Sequence, residues 1–292
     1  MTGVVFAQYR DEDYLAVCDF LIELNRRDRA HINWNWARFE WMIEHPEFDK
    51  SARSAFGLWR SGERIIGAAI YDMYFGEAFC GVLPGFEALY GEVLDYACRE
   101  LKDDSGLGIA VCDDCAWEIS ALTKAGFRRA EQTETIMARR LDSIPSPVLP
   151  AGLSLREIDH ASDADGLALQ WLLWQGFDHG DDYAEFERSL GPKPELRQHF
   201  DKRLSLAAVD DRGEGAAYCC LWYMPGTDYA YVEPVAAIPV WRGKGVAKAL
   251  LYEAMRRAHA LGAERAYVIS DQVFYQKIGF ESDKHFTFYW KA

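Results

Sequence analysis

A short basic loop stands directly in front of a helical pattern in the second half of the chain. The segment Arg242-Gly243-Lys244-Gly245-Val246-Ala247 follows an apolar run and precedes residues whose apolar side chains recur every four positions. The first turn of a helix has unpaired backbone N–H groups and carries the positive end of the helix dipole, which stabilises an anion by about 0.3–1 kcal/mol. The glycines let a phosphate approach closely, and the basic side chains add mobile charge. The loop therefore predicts a pyrophosphate site.

Two common phosphate motifs do not describe this loop. The pattern GxxxxGK[ST] is missing from the sequence, and Lys248 stands where GxGxxG requires its third glycine. The pattern [Q/R]xxGx[G/A] is met instead, and FYQKIGF at residues 274–280 resembles a second motif, [F/L]YxxxGF. Together the two motifs make most of residues 150–292 similar to the GCN5-related N-acetyltransferase (GNAT) family.

The resemblance implies a cofactor site and a fold. In the GNAT family the loop binds the pyrophosphate of coenzyme A, so acetyl-CoA is the implied co-substrate. The implied fold class is α/β (α+β), with a mixed, mostly antiparallel sheet whose central strands splay apart and pair with the pantetheine arm. The implied cofactor-binding residues are Val235, Ala236, Ala237, Arg242, Gly243, Lys244, Gly245, Val246 and Ala247.

Acetyl transfer to an amine needs a proton acceptor and a proton donor. A lysine-like amine, with a pKa of about 10.4, is neutral in only about one molecule in 10³ at pH 7, so a general base lowers the barrier. The family motif implies that Tyr275 donates a proton to the departing thiolate. The structural alternative is an aromatic side chain packed beneath a helix.

Glu233 is the candidate general base. Strand alternation predicts that it shares one face with Tyr229, Tyr231, Val235 and Ala237, and its apolar neighbours predict a raised pKa. In several family members the strand glutamate aligns with Tyr231, which is therefore a candidate substrate residue. Glu233 then orients the acceptor or satisfies a neighbouring backbone group.

The acceptor pocket of the family is usually formed by the connector after the first helix of the domain. Here it contains Asp178 and His179, followed by Asp181 and Asp182. Asp178 is a candidate for binding a cationic amine, and His179 is an alternative base. The structural alternative is a helix-ending turn with a capping aspartate.

The chain divides almost in half at a proline-rich linker. Pro145, Pro147 and Pro150 predict an extended connector over residues 144–152, between a domain at 1–143 and a domain at 153–292. The two halves align, with FCGVLPGFEALYGEVLDYA matching VAAIPVWRGKGVAKALLYEA and ISALTKAGFRRA matching QVFYQKIGFESD. We therefore expect two tandem GNAT-like domains.

The first domain is predicted to be a degenerate copy. Residues 87–90 are Glu-Ala-Leu-Tyr where the second half has its glycine loop, and Leu122 replaces the tyrosine of the second motif. A pyrophosphate is not expected to bind there, so one active site is predicted. The aromatic residues Trp34, Trp36 and Trp41 fit core packing better than a contribution to the acceptor cavity.

Composition limits the class of protein. The chain has 292 residues, half of them hydrophobic, and a net charge of -14, which disfavours nucleic acid as a partner. No export signal or membrane span is predicted, and seven cysteines indicate reduced thiols in the cytoplasm. Cys112 and Cys115 form a CxxC without a second ligand pair, so no metal is expected.

These observations predict a cytoplasmic acetyltransferase. It moves an acetyl group from acetyl-CoA to a primary amine of a small molecule or peptide, by direct transfer, as a monomer or homodimer. An acyl-CoA-binding sensor without transfer activity is the alternative.

Overall fold

The computed structural model describes residues 3–45, 48–191 and 199–292, and its chain divides into two compact units. The first unit comprises Met1–Met137, Ile269–Asp271 and Ser282–Ala292, and the second comprises Ala138–Val268 and Gln272–Glu281. Both are mixed sheets with helices packed on them. Within the described ranges, no helix is both long and apolar enough to cross a bilayer.

The first unit begins with four antiparallel strands joined to a fifth that runs parallel. Its sheet follows the order β1-β2-β3-β4-β5, and β4 pairs with β5 only at Glu77 and Gly108 before the two strands diverge. The elements are β1 (Val4–Gln8), α1 (Tyr14–Leu24), α2 (Trp36–Glu44), β2 (Gly57–Ser61), β3 (Arg64–Asp72), β4 (Tyr74–Val82), α3 (Tyr90–Glu100), β5 (Leu107–Cys112), α4 (Ala116–Lys124) and β6 (Arg128–Arg140).

Aromatic side chains fill the core of the first unit. Trp34 and Trp36 are 3% and 0% exposed, in agreement with the expected core packing, while Trp41 is partly buried against His45. The side chain of Asn35 caps α2, because its carboxamide oxygen accepts hydrogen bonds from the amides of the second and third helical residues. The tryptophan-rich segment is therefore a structural element of this unit.

The second unit repeats the connectivity of the first. Its sheet follows the order β7-β8-β9-β10-β11, antiparallel except for the parallel pair β10–β11. In both units a helix, α3 or α7, connects the parallel pair, as expected for a duplicated αβ unit. The elements are β7 (Ser154–Glu157), α5 (Asp163–Gly176), α6 (Tyr183–Ser189), β8 (Ser205–Val209), β9 (Gly215–Tyr223), β10 (Tyr229–Ala237), α7 (Val246–Leu261), β11 (Arg265–Ile269) and α8 (Val273–Lys277).

Helix α7 follows the periodicity of its sequence. Val246, Leu250, Ala254 and Ala258 form a buried stripe, each at most 1% exposed. Burying an aliphatic side chain of this kind contributes about 1.5–3 kcal/mol for valine or leucine. Gly262 ends the helix in a left-handed conformation with φ of 118°, which suits glycine because it has no Cβ. The helix begins and ends where the sequence predicts.

The last strand of the chain belongs to the first unit. Strand β12 (Glu281–Lys291) lies between β5 and β6 and pairs antiparallel with β5 from Phe286 to Lys291. The sequence assigns these residues to the domain at 153–292, whereas their contacts place residues 282–292 with the first unit. The difference arises because two strands that pair with each other, but lie far apart in the chain, leave no local signal in the sequence. The predicted boundaries at 143 and 153 stay a prediction.

Candidate active site

The loop before α7 has the backbone geometry of an anion site. Gly243 and Gly245 have φ of 72° and 83°, a left-handed region that glycine adopts without strain. A Cβ built on either residue would meet no atom within 4 Å. Among the described residues, the amides of Gly243, Gly245, Val246 and Ala247 make no backbone hydrogen bond. Four backbone donors at the positive end of a 16-residue helix are therefore without a backbone partner.

The two basic side chains of the loop are held differently. The Lys244 ammonium lies 4.8 Å from the centre of the Trp241 ring, a cation–π contact that leaves the charge at the loop surface. All three guanidinium nitrogens of Arg242 contact protein oxygens, those of Gly176, Asp178 and Ala237. Arg242 is therefore fixed in place, in contrast to the mobile charge that the sequence predicts.

The strand that leads into the loop has an unpaired edge. Strand β10 pairs with β11 only from Tyr229 to Tyr231. Beyond that point no β11 partner of β10 is present in the described chain, so the backbone groups of Val235 and Ala237 that point away from β9 have no strand partner, and the Ala237 carbonyl accepts from Arg242 instead. This is the splayed sheet that the sequence predicts, and the splay exposes the groups expected to pair with the pantetheine arm.

A bulge in β10 overturns one prediction about faces. Val232 pairs with Leu221 and Val235 pairs with Cys219, so three steps on β10 match two on β9. One extra residue reverses the alternation of side chains beyond it. Val235 and Ala237 therefore lie on the face opposite Tyr231, and the prediction that one face carries all five residues from Tyr229 to Ala237 is wrong.

Glu233 lies inside this bulge, and the charge of its carboxylate acts on the phenol of Tyr275. Tyr275 is 8% exposed and packs between the rings of Phe274 and Phe280. Burial raises the pKa of its phenol most, and the carboxylate of Glu233 raises it further. The indole nitrogen of Trp222 donates to the backbone carbonyl of Glu233 at 2.7 Å. The sequence did not reveal this contact, because the register of β9 against β10 has no local signature.

The three candidate acceptor residues have different surroundings: Asp178 pairs with an arginine, His179 packs on a tryptophan, and Asp182 caps a helix. The carboxylate of Asp178 is 2.9 Å from the guanidinium of Arg242, so it already has a cationic partner. The ring of His179 lies 4.7 Å from that of Trp174. Asp182 caps α6 by accepting from the amides of Ala184 and Glu185. The capping alternative is thus confirmed for Asp182. The rest of this connector, residues 192–198, lies outside the described residues.

The corresponding loop of the first unit is built differently. The carboxylate of Glu87 accepts a hydrogen bond from the amide of Gly85 at 2.9 Å, and this bond lowers the pKa of Glu87. An amide at the start of the helical turn is thereby occupied by the chain's own carboxylate. Leu122, which takes the place of the motif tyrosine, is fully buried. These contacts support the prediction that the first unit holds no pyrophosphate.

The two cysteines of the CxxC in the first unit have the buried surroundings that are typical of structural cysteines. Cys112 ends β5 and Cys115 precedes α4, and both are free and buried. Burial raises the pKa of both thiols, that of Cys115 to about 12. Reactive cysteines require the thiolate, which burial disfavours here.

Comparison with known proteins shows that most of the second half of the chain is similar to one protein family. The profile of the Acetyltransferase (GNAT) family matches residues 167–280. The uncharacterized N-acetyltransferase YhbS of Escherichia coli is 30% identical over 95 residues, which are 31% of this chain and 57% of that protein. The chain thus matches little more than half the length of this relative. Residues 167–280 are thus similar to the acetyltransferase domain of the GNAT family.

Solved structures extend the likeness in fold to both units. A tandem GNAT protein from the clavulanic acid biosynthesis pathway superposes with a TM-score of 0.59 at 17% identity, covering 98% of each chain. A GCN5-related N-acetyltransferase from Sphaerobacter thermophilus gives 0.57 at 16% identity, covering 100% of this chain and 96% of that one. The predicted fold class, two tandem mixed α/β domains, is confirmed.

Proposed function

We propose that the chain transfers an acetyl group from acetyl-CoA to a primary amine of a small molecule or peptide. The observation that carries the proposal is the loop at the start of α7, whose two left-handed glycines and unpaired amides leave room for a pyrophosphate. The loop belongs to the part of the chain that matches the GNAT family. In the proposal, the amides of Gly243, Gly245, Val246 and Ala247 and the ammonium of Lys244 hold the pyrophosphate.

Acetyl-CoA supplies a thioester whose carbonyl carbon is attacked by a neutral amine, with departure of the thiolate. The edge of β10 from Val235 to Ala237 holds the pantetheine arm by those backbone groups that point away from β9, namely the groups of Val235 and the amide of Ala237. A backbone N–H of this edge is suited to stabilise the oxyanion, since a preorganised donor needs no rearrangement during the reaction.

Glu233 and Tyr275 move the protons. Glu233 takes a proton from the ammonium form of the acceptor, directly or through a water, and the nitrogen releases its second proton to water when the tetrahedral intermediate collapses to the amide. Tyr275 keeps its proton at neutral pH, because burial and the nearby carboxylate both raise its pKa, and it is therefore available to protonate the leaving thiolate. Tyr275 therefore starts in the protonated state that a general acid requires.

Calorimetric titration with coenzyme A and acetyl-CoA, followed by a thiol-release assay over a panel of primary amines, tests the proposal. We expect both nucleotides to bind and at least one amine to accelerate thiol release. Binding without accelerated release by any amine would favour an acyl-CoA sensor, and no binding would refute the site. A cytoplasmic location and a monomeric or homodimeric state are proposed with this function.

A further inference from the structure

The guanidinium of Arg242 joins the end of a strand to the end of a helix. Its Nε donates to the carbonyl of Ala237, the last residue of β10, at 3.0 Å. Its Nη2 donates to the carbonyl of Gly176, the last residue of α5, at 2.9 Å, and its Nη1 donates to Asp178 at 3.0 Å. Because the fork is planar and its donors are fixed, these bonds define the position of the helix end relative to the loop.

The end of α5 is seated directly on β10. A Cβ at Gly176 would stand 2.8 Å from the Cβ of Ala236, so only glycine allows this approach. Ala236 belongs to the same buried cluster as Leu169 and Leu172 of α5. The carbonyl of Gly176 is one of the last in its helix, where a cation is favoured by the dipole and an outside donor is needed. Arg242 supplies both the positive charge and the hydrogen-bond donor.

The bond to Asp178 orients the chain more than it stabilises the fold. Asp178 has φ of 64°, a left-handed conformation that few residues other than glycine, asparagine and aspartate adopt. The side chains of Arg242 and Asp178 are 42% and 65% exposed, and exposed ion pairs of this kind contribute little to stability. The contact therefore sets the direction in which the chain leaves α5.

The chain that leaves α5 at Asp178 is the connector to which the family resemblance assigns the acceptor pocket. We term residues 177–189, which include His179 and α6, the acceptor segment. His179 packs on Trp174, and Trp171 packs on Tyr183 and Phe186, so the segment rests on the outer face of α5. Among the described residues, this segment contacts the phosphate loop, residues 242–247, through the ion pair of Asp178 with Arg242.

We propose that Arg242 is a positioning residue that couples the phosphate loop to the acceptor segment. Resting on the function proposed above, the coupling means that coenzyme A, by ordering residues 243–247, also orders residues 177–189. Asp178 then serves as the partner of Arg242 and does not bind the amine. By linkage, an amine held by the acceptor segment would bind more tightly when the donor is bound.

Hydrogen–deuterium exchange with coenzyme A as the probe tests the coupling without an identified amine. In the wild-type chain we expect the nucleotide to slow exchange in both residues 243–247 and residues 177–189, by about fivefold or more. Arg242→Gln and Asp178→Gly should each keep the protection of the loop and lose that of the acceptor segment; glycine removes the acceptor and tolerates the φ of 64°. The double variant should lose no more than Arg242→Gln alone, because that variant already removes the bond to Asp178.

Two controls separate the outcomes. Arg256→Gln removes an arginine of similar exposure on α7, whose ion pair with Glu253 lies outside the loop, and should leave both protections unchanged. Lys244→Gln should weaken coenzyme A binding itself. If Arg242→Gln behaves like Lys244→Gln, or if it keeps the protection of residues 177–189, the coupling is refuted. If the wild-type loop gains no protection, the proposed function fails instead.

Discussion

The phenol of Tyr275 and the carboxylate of Glu233 interact across the gap between α8 and the bulge of β10. Burial is the larger cause of the raised pKa of Tyr275, and the negative charge of Glu233 adds to it. A nearby anion disfavours the phenolate, so burial and the charge of Glu233 both keep the proton on the tyrosine.

The Glu233→Gln variant tests this interaction directly. Removing the negative charge removes one of the causes that raise the Tyr275 pKa, so the pKa should fall toward 10.0 while remaining above it because of burial. Titration of ¹³C-labelled tyrosine by NMR measures the shift. An unchanged Tyr275 pKa would show that the two groups do not interact, and would remove the support for a paired acid and base.

The Tyr275→Phe variant separates catalysis from binding. The substitution removes only the hydroxyl, so the rings of Phe274 and Phe280 keep their packing partner. Loss of a general acid lowers kcat by about 10²–10⁴-fold, with the coenzyme A Kd within about twofold. Tyr252→Phe, at a half-buried tyrosine of α7, is the control and should leave kcat unchanged. A full rate in Tyr275→Phe would leave the residue with a packing role alone.

Gly245 and Gly213 form a matched pair for the phosphate loop. Both have φ of 83°, and a Cβ at either position would meet nothing within 4 Å. Alanine at each site therefore carries the same backbone strain, about 1–2 kcal/mol. Only Gly245 lies where a pyrophosphate would touch the new Cβ, so Gly245→Ala should lose the thermal shift with coenzyme A and Gly213→Ala should keep it. Equal shifts in the two variants would place the nucleotide elsewhere.

The buried pair of His31 and Glu118 makes the stability of the first unit depend on pH. Their side chains are 2.7 Å apart. Burial, the largest effect, lowers the His31 pKa, but the charge and hydrogen bond of Glu118 together raise it above 6.5. A raised folded pKa means that the stabilisation is complete below pH 6.5 and is lost as the pH rises through the folded value.

The Glu118→Gln variant should reverse this pH dependence. Without the carboxylate, only the charge of Asp28, the smallest of the causes, still raises the His31 pKa, so the larger effect of burial brings it below 6.5 and protonation then opposes folding. Breaking a buried pair costs about 3–5 kcal/mol, and the loss should be larger at pH 5.5 than at pH 8.5. Urea unfolding at both pH values measures it. Glu23→Gln, in an exposed pair with Arg64, should change stability by less than about 1 kcal/mol. A loss that does not vary with pH contradicts the assignment.

The sequence predicted those features that depend on neighbouring residues. The stripe of α7, its glycine end, the glycine loop and the repeat of two αβ units all follow from local periodicity and from special φ values. The face reversal beyond Val232 was missed, because an extra residue in a strand is visible only against its partner. The fixed position of Arg242 was missed as well, since Gly176 and Asp178 are more than 60 residues away in the chain.

The placement of β12 leads to a prediction about truncation. Phe286, Thr287, Phe288 and Tyr289 are buried, at 6% exposed or less, although they follow the second motif in sequence. Deleting residues 282–292 would remove the strand between β5 and β6 and leave the backbone of β5 from Leu107 to Cys112 without its antiparallel partner. An unpaired, apolar strand edge in mid-sheet favours unfolding and aggregation.

We therefore expect the truncated chain to lose the first unit before the second. Limited proteolysis followed by mass spectrometry should show cleavage within residues 3–137, whereas the full chain resists. A matched control replaces exposed Glu281 with glutamine and keeps the strand. If the truncated chain keeps a protease-resistant first unit, β12 is dispensable there, and the division of the chain at residues 144–152 would describe its folding units better than the contacts do.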